Sequence, residues 1–281
     1  MADVPNAGAF CDVAVIGGSG FSAFLSDADP VQVETPYGPP SGPIEIGNVD
    51  GHSVGFLARH GSGHRFPAHR INYRANLWAL RSLGVRRVLA PCAVGSLRAD
   101  LGPGTLVLPD QLVDRTSGRV QTYFDTGAVH VSFADPYCPD LRRQMLAAAD
   151  DWAGEPAGTR VVDGGAMVVI QGPRFSTRAE SQWYAAQGWT LVNMTGHPEA
   201  VLARELGLCY TAVALVTDFD AGVDAGSSVD QATVFEVFAA NIDRLKALLT
   251  RAVPTLQQQG VAPDCSCALV HAGMTLPFEL P

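Results

Sequence analysis

The sequence predicts an α/β protein with a mostly buried sheet, and three observations predict it. Short uninterrupted apolar runs, partly β-branched, read as buried strands. They alternate with segments of helical spacing, and glycine or proline marks the junctions. No clear linker, repeat or low-complexity stretch interrupts the alternation. Residues 13–16 are the first strand, ending in Gly17-Gly18-Ser19-Gly20; residues 54–58 are another, ending at Arg59-His60. Helical spacing over 76–83 stops at Gly84. A strand over 88–90 leads to Cys92-Ala93-Val94-Gly95-Ser96, and 105–108 is a further strand. Residues 141–153 form an amphipathic helix, 167–170 a strand, and 179–187 a helix closed by Gly188. Leu191 and Val192 begin a strand ending at Asn193-Met194-Thr195, after which Pro198 opens a helix in its first turn and Gly207 closes it. Residues 209–216 are apolar without interruption, a buried strand. The last long helix stops before Pro254, and an irregular tail follows to Pro281.

The 281 residues suit one large α/β domain, or at most two small ones, and 47% hydrophobic content supplies a sizeable core. One domain spanning 1–281 is expected, with its core at about 12–254 and an irregular remainder from 255. A formal charge of −9 argues against a nucleic-acid partner or an anionic membrane surface. No run of 18 apolar residues and no basic-then-apolar leader is present, so a soluble, cytoplasmic protein is expected. The six cysteines are too scattered for a disulfide framework. Cys265-Ser266-Cys267 is close enough to pair or to bind metal, but no partner ligand is recognised beside it and no metal site is expected. Lys246, inside the last helix, is the single lysine. A Schiff-base lysine, a pyridoxal-phosphate anchor and a phosphate-loop lysine are therefore not expected.

Thr217-Asp218-Phe219-Asp220 stands where the strand over 209–216 runs out. Two residues apart in extended backbone, the two carboxylates point to one side and repel, which pushes one towards its protonated form. Such a pair lets one group donate a proton while its neighbour accepts a hydrogen bond; a solvated strand end or a helix cap is the plainer reading. Other polar groups also sit at strand ends, where open α/β sheets place ligands: Ser19 in its glycine turn, Arg59 with His60, the loop at 93–96, and Thr195. Arginine, hydroxyls and turn N–H groups can hold a phosphate without lysine, the arginine by a bidentate contact. Gly18-x-Gly20-x-x-Ala23 also fits a loose dinucleotide fingerprint. Asp27, Asp29 and Pro30 leave no room for its crossover helix before a β-like stretch at 31–34, so a dehydrogenase is not favoured.

The motifs resemble those of the 5′-methylthioadenosine phosphorylases, in the trimeric branch of the purine nucleoside phosphorylases. The resemblance runs from about Asp12 to Pro254 through Ile16-Gly17-Gly18-Ser19-Gly20, Ala58-Arg59-His60-Gly61, Asn72-Tyr73-Arg74-Ala75-Asn76 and Gly95-Ser96-Leu97-Arg98. It continues through Asp135-Pro136-Tyr137-Cys138-Pro139, the run from Gly172 to Glu180, Asn193-Met194-Thr195 with Pro198-Glu199, and Thr217-Asp218-Phe219-Asp220. It implies a phosphorylase-type three-layer sandwich, a central mixed β-sheet flanked by helices, assembled as a homotrimer. The partners it implies are a nucleoside and inorganic phosphate as co-substrate, with no cofactor and no metal.

The resemblance also implies roles. Phosphate attacks the anomeric carbon of the nucleoside and displaces the purine. Ser19, Arg59, His60, Cys92, Ala93 and Thr195 match phosphate-binding positions, with Cys92 standing where relatives often carry a hydroxyl. Met194 matches the residue under the ribose, Phe175 the ring that stacks on the base, and His130 a residue that reaches the 5′ end across a subunit boundary. His197, next to the Thr195 loop, falls near the base or sugar pocket. Asp218 is the candidate general acid at purine N7, and an ionised Asp220 accepts from the exocyclic amine of a 6-aminopurine. An oxopurine would aim an acceptor at that carboxylate, a repulsion of a few kcal/mol when buried. A 5′-deoxyadenosine substrate such as methylthioadenosine is expected; the alternatives are a 6-oxopurine nucleoside or methylthioinosine.

Plainer readings apply to several residues. Arg178 and Glu180 form an ion pair on a helix, Arg98 fixes a loop, and His64 and His69, in the segment after Arg59 that could also serve as a mobile lid, are read as structural rather than catalytic. A nucleoside-binding protein without catalysis would keep the base contacts but not the phosphate set. A hydrolase would use water in place of phosphate and require a carboxylate base near the sugar.

Overall fold

The alternation of apolar strands and amphipathic helices closes into three layers. The computed structural model describes residues 10–18, 25–150, 161–223 and 229–281. Eleven strands form one mixed sheet: β1 (Val13–Gly17), β2 (Ser26–Val31), β3 (Ile44–Val49), β4 (His52–Ala58), β5 (Arg87–Ser96), β6 (Leu106–Leu108), β7 (Gln111–Arg115), β8 (Val161–Asp163), β9 (Ala166–Ile170), β10 (Leu191–Asn193) and β11 (Cys209–Phe219). The helices are α1 (Tyr73–Ser82), α2 (Pro139–Asp150), α3 (Arg178–Ala186), α4 (Gly196–Glu205) and α5 (Gln231–Gln259).

The period-2 alternation of β1 shows how the layers are built. Ala14 and Ile16 pack with Leu77, Leu80 and Leu202 of α1 and α4 on one face. Val13 and Val15 pack with Leu141, Met145, Leu245 and Leu249 of α2 and α5 on the other. All five residues of β1 are buried, as a strand covered on both faces requires.

β5 is the strand on which the sheet divides. Along its whole length it pairs in parallel with β11. Its other edge is shared: Arg87–Leu89 pair with β1, and Gly95 and Ser96 pair with β10 in antiparallel register. The stretch between them has β11 alone as ladder neighbour, and Pro91 lies there, where a missing N–H removes no bond on the open edge. That gap is where the cavity described below opens.

Three sequence expectations change. The strand expected at 31–34 is instead β2, ending at Val31. β3, β7 and β8 lack a continuous apolar run or strict alternation and carry no strand signal in the sequence. The last helix does not stop before Pro254 but runs to Gln259, so only the chain beyond it is irregular. Val253 and Leu256 are fully buried against the sheet, and that packing offsets the one N–H that proline withholds. The end of the helix expected to reach Ala153 lies outside the described residues.

Candidate active site

A cavity of about 400 Å³ opens at the carboxyl ends of β1, β4, β10 and β11, beside the gap in β5, and the start of α5 forms one wall. The acid pair lines it. Val216 pairs with Val94 and Asp218 with Gly95, so Thr217 is the extra residue of a bulge. Bulges re-aim side chains where a strand meets a site. A Cβ on Gly95 would lie 3.1 Å from Asp218 Oδ1 and 3.3 Å from Asp220 Cβ. The absence of a side chain there lets both acids sit on one side of the sheet end, as their spacing predicts.

The two acids have different surroundings. Burial pushes the Asp218 carboxyl up to about 6, the Thr217 hydroxyl pulls it back, and the Asp220 charge adds to the rise. The Thr217 hydroxyl donates to Asp218 Oδ2 at 2.8 Å. Asp220 is buried, and burial raises its carboxyl too, opposed by the Ser176 and Ser181 hydroxyls and the Ala221 N–H. Its Oδ2 has no hydrogen-bond partner. A buried acceptor of that kind is costly unless something fills it.

Most of the phosphate candidates converge on the same cavity. Arg59, His60, Cys92, Ala93 and Thr195 line it, while Ser19 lies outside the described residues. Arg59 is 1% exposed, and its fork is taken up by protein acceptors. Nε donates to Glu199 Oε2 at 2.8 Å and Nη2 to Glu199 Oε1 at 3.0 Å and Ile16 O at 2.8 Å. Nη1 donates to Pro91 O at 3.1 Å. Of the five N–H groups of a guanidinium, one on Nη1 remains, so the bidentate contact expected from the sequence is made with Glu199 instead.

His60 donates from Nδ1 to Phe66 O at 2.8 Å, and burial with the Arg59 charge pushes its imidazole down to about 4. It is therefore neutral at physiological pH, with Nε2 as an acceptor, and it stacks on His64 at 4.0 Å. Burial raises the Cys92 thiol to about 12, which keeps it neutral. Asn193 organises the last group: its Oδ1 accepts from the Thr195 and Gly196 N–H groups at 2.7 Å each, and its Nδ2 donates to Ala93 O at 3.1 Å. The end of β10 is thereby tied to β5, and the Thr195 side chain is fixed at the start of α4.

Met194 and Phe175 line the cavity, Phe175 at the mouth and 36% exposed. Gly172, at φ +64°, makes room for Met194, whose Sδ would lie 2.7 Å from a Cβ there. Arg119 holds the backbone of this loop by donating to Met194 O at 2.9 Å and Gln171 O at 2.8 Å.

His130 and His197 do not line the cavity. His130 is exposed, in the irregular chain between β7 and α2. His197 is buried, and its Nε2–H points away from the cavity, 2.7 Å from Gln121 Oε1 and 3.2 Å from Asp114 Oδ2. Burial, with a smaller effect from Arg119, holds its imidazole below the ordinary value against the pull of Asp114. Glu180 takes Arg174, not Arg178, as its partner, through two contacts of 2.7 Å. Arg98 pairs with Asp100 in its own loop.

Sequence reasoning passed over several lining residues: Asn193, and Gln231, Val234, Phe235 and Phe238 of α5. Two phenylalanines and a valine within the first two turns of a helix are a weak signal, because helices bury such residues against cores more often than against ligands. Phe235 is an exposed large aromatic, in edge contact with His64, and neither its exposure nor that contact is visible in the sequence.

Residues 12–254 match the profile of the Phosphorylase superfamily. S-methyl-5′-thioadenosine phosphorylase of Mycolicibacterium smegmatis is 63% identical over 268 residues, covering 95% of this chain and 98% of its own. Purine nucleoside phosphorylase of Streptomyces coelicolor is 56% identical, over 96% of this chain and 98% of its own. A crystal structure of methylthioadenosine phosphorylase from an antarctic soil metagenomic library superposes with a TM-score of 0.85 at 39% identity, covering 94% of this chain and 91% of that one. The chain belongs to the phosphorylase superfamily. Within it, the relatives just described carry two names, the methylthioadenosine enzyme and the purine nucleoside enzyme.

Proposed function

We propose that this cavity carries out phosphorolysis of 5′-methylthioadenosine, or a related 5′-deoxyadenosine, to adenine and a 5-substituted ribose 1-phosphate. The observation that carries the reading is the acid pair at the end of β11 sharing one cavity with Arg59, His60 and Thr195. A phosphate oxygen forms the new bond to C1′ as the C1′–N9 bond breaks. The bonding electrons leave with the purine, and a proton from Asp218 arrives at N7. A carboxyl held at about 6 is a competent donor near neutrality. The vacant acceptor on Asp220 Oδ2 suits an exocyclic amine, which favours a 6-aminopurine over a 6-oxopurine. Phe175 covers the base, Met194 supports the ribose, and Val234, Phe235 and Phe238 offer an apolar wall for a methylthio group. The proton that hydrogen phosphate loses in forming the ester replaces the one Asp218 gives up, so the atoms balance with phosphate as the only co-substrate.

His130 contributes from a neighbouring subunit of a homotrimer in this reading, consistent with its exposure outside the cavity of its own chain. No helix among the described residues is long and apolar enough to cross a membrane, and a cytoplasmic location is the proposed one. The Streptomyces coelicolor relative's name motivates a 6-oxopurine nucleoside as the second reading.

Base release from methylthioadenosine and methylthioinosine, each with and without phosphate, tests the proposal. Phosphate-dependent release of adenine supports it. Preference for the inosine compound overturns the role given to Asp220, and release without phosphate overturns phosphorolysis.

A further inference from the structure

Of the five cysteines that do not line the cavity, four come together elsewhere. Cys138 lies just before α2, Cys209 begins β11, and Cys265 and Cys267 belong to the chain beyond α5. All four are at least nine-tenths buried. Their Sγ atoms lie within 4.8 Å of one another, with Cys265 3.6 Å from Cys138 and 3.5 Å from Cys209. The sequence shows only the Cys265-Ser266-Cys267 pair and no ligands to complete it; the fold delivers the other two from 127 and 56 residues away.

Those separations select among the ways thiols cluster. A disulfide needs sulfurs at about 2.05 Å, and the six cysteines are free. Four sulfurs about 2.3 Å from a tetrahedral Zn²⁺ stand about 3.8 Å apart, within the range these four already occupy. Buried thiols also act as small apolar side chains, but apolar packing does not explain two further features. The Leu141 N–H donates to Cys138 Sγ at 3.4 Å, the kind of backbone contact that supports a ligating thiolate. Arg204 is buried and near enough to Cys267 for its charge to act on that sulfur. Its guanidinium donates to two carbonyls, Ser132 O at 3.2 Å and Asp135 O at 2.5 Å, and among the described residues no carboxylate pairs with it. A buried cation without an acid requires a counter-charge, and four thiolates around Zn²⁺ carry a net charge of −2.

We propose that Cys138, Cys209, Cys265 and Cys267 form a structural tetrathiolate site for Zn²⁺ that fastens the chain beyond α5 to the start of β11 and the entry to α2. The site departs from the sequence expectation that no metal is bound. Its ligands are soft donors with no open position in a tetrahedral shell, which suits a structural ion and not a catalytic one. None of its ligands lines the cavity, so it is separate from the proposed chemistry.

The test uses the full chain, made without a metal-binding tag and kept reduced. Elemental analysis is expected to find about one zinc per chain, and Co²⁺ added to the stripped protein about one equivalent of the intense visible absorption of tetrahedral cobalt thiolate. Cys265→Ser and Cys267→Ser are each expected to weaken Co²⁺ binding by on the order of 100-fold, while Cys11→Ser leaves it unchanged. A reduced, folded wild-type protein that takes up neither Zn²⁺ nor Co²⁺ overturns the proposal. So does intact-mass analysis after alkylation showing the four thiols paired as disulfides. The wild-type cobalt titration decides the question even where a serine variant fails to fold.

Discussion

Replacing Asp218 by asparagine should make the protein more stable while removing its activity, and the pH dependence of that gain reports the cause. Burial moves the Asp218 carboxyl from its ordinary 3.8 to about 6. Between those two values the folded chain holds a proton that the unfolded chain has released, so stability falls as pH rises through that window. Above it the full penalty is present: a shift of that size, at about 1.4 kcal/mol per tenfold change in acidity, amounts to about 3 kcal/mol. Residual solvent access reduces this to about 2 kcal/mol. The asparagine side chain carries no charge, keeps an acceptor for the Thr217 hydroxyl and also removes the repulsion on Asp220. Urea denaturation of the two proteins from pH 4 to pH 8 measures the difference. The variant is expected to gain about 2 kcal/mol at pH 7.5 and less than about 1 kcal/mol at pH 4. No gain at pH 7.5, or a gain that does not shrink on acidification, refutes the argument that the fold holds this carboxyl against its preference for water.

With Asp218 as the proton donor, kcat/KM of the wild type should fall about tenfold per pH unit above about 6, and Asp218→Asn should be slower by roughly 10²–10⁴-fold with that limb lost; steady-state pH profiles check both. Glu199→Gln leaves the Arg59 charge buried without its counter-ion and should cost about 3–5 kcal/mol in a denaturation experiment, with no rise in the KM for phosphate. Gly95→Ala places a methyl 3.1 Å from Asp218 Oδ1, so kcat should drop on the order of 10-fold with Tm nearly unchanged. Phe235→Ala removes part of the apolar wall and should narrow the kcat/KM preference for methylthioadenosine over adenosine by about 10-fold.

The parts of the site carried by one strand end each were legible in the sequence, because a strand, its last residues and their facing are local properties. Asp218 with Asp220, Arg59 with His60, and Met194 with Thr195 all fall in such short runs, and all line the cavity. What decides how those residues behave comes from far along the chain. Glu199 takes up the fork of Arg59 from 140 residues away, and nothing around Arg59 in the sequence indicates that its charge is already balanced. His197 sits two residues from Thr195, yet the turn into α4 sends its ring to β7, a strand with no apolar periodicity to announce it. The cysteine cluster follows the same logic, since its two halves meet only once β11 and the chain beyond α5 are in place. Pro254 misled in the other direction: a local rule for ending helices lost to the burial of Val253 and Leu256.

The balance of charge in the cavity bears on why phosphate and not water would be the nucleophile. With Arg59 paired to Glu199 and His60 neutral, the described side chains around the phosphate position carry almost no net positive charge. A strongly cationic clasp would bind phosphate tightly but would also quench the negative charge that must stabilise the developing sugar cation. Here the guanidinium is held rigidly, with one Nη1–H left to orient an oxygen, and the Thr195 hydroxyl stands in the same cavity. The dianion would then keep its charge for the transition state, where charge stabilisation contributes to rate and not merely to binding. A water molecule in the same place brings no such charge, and among the described residues no carboxylate lines that end of the cavity to activate it: the described acids of the lining are Asp218 and Asp220, which this reading commits to the base.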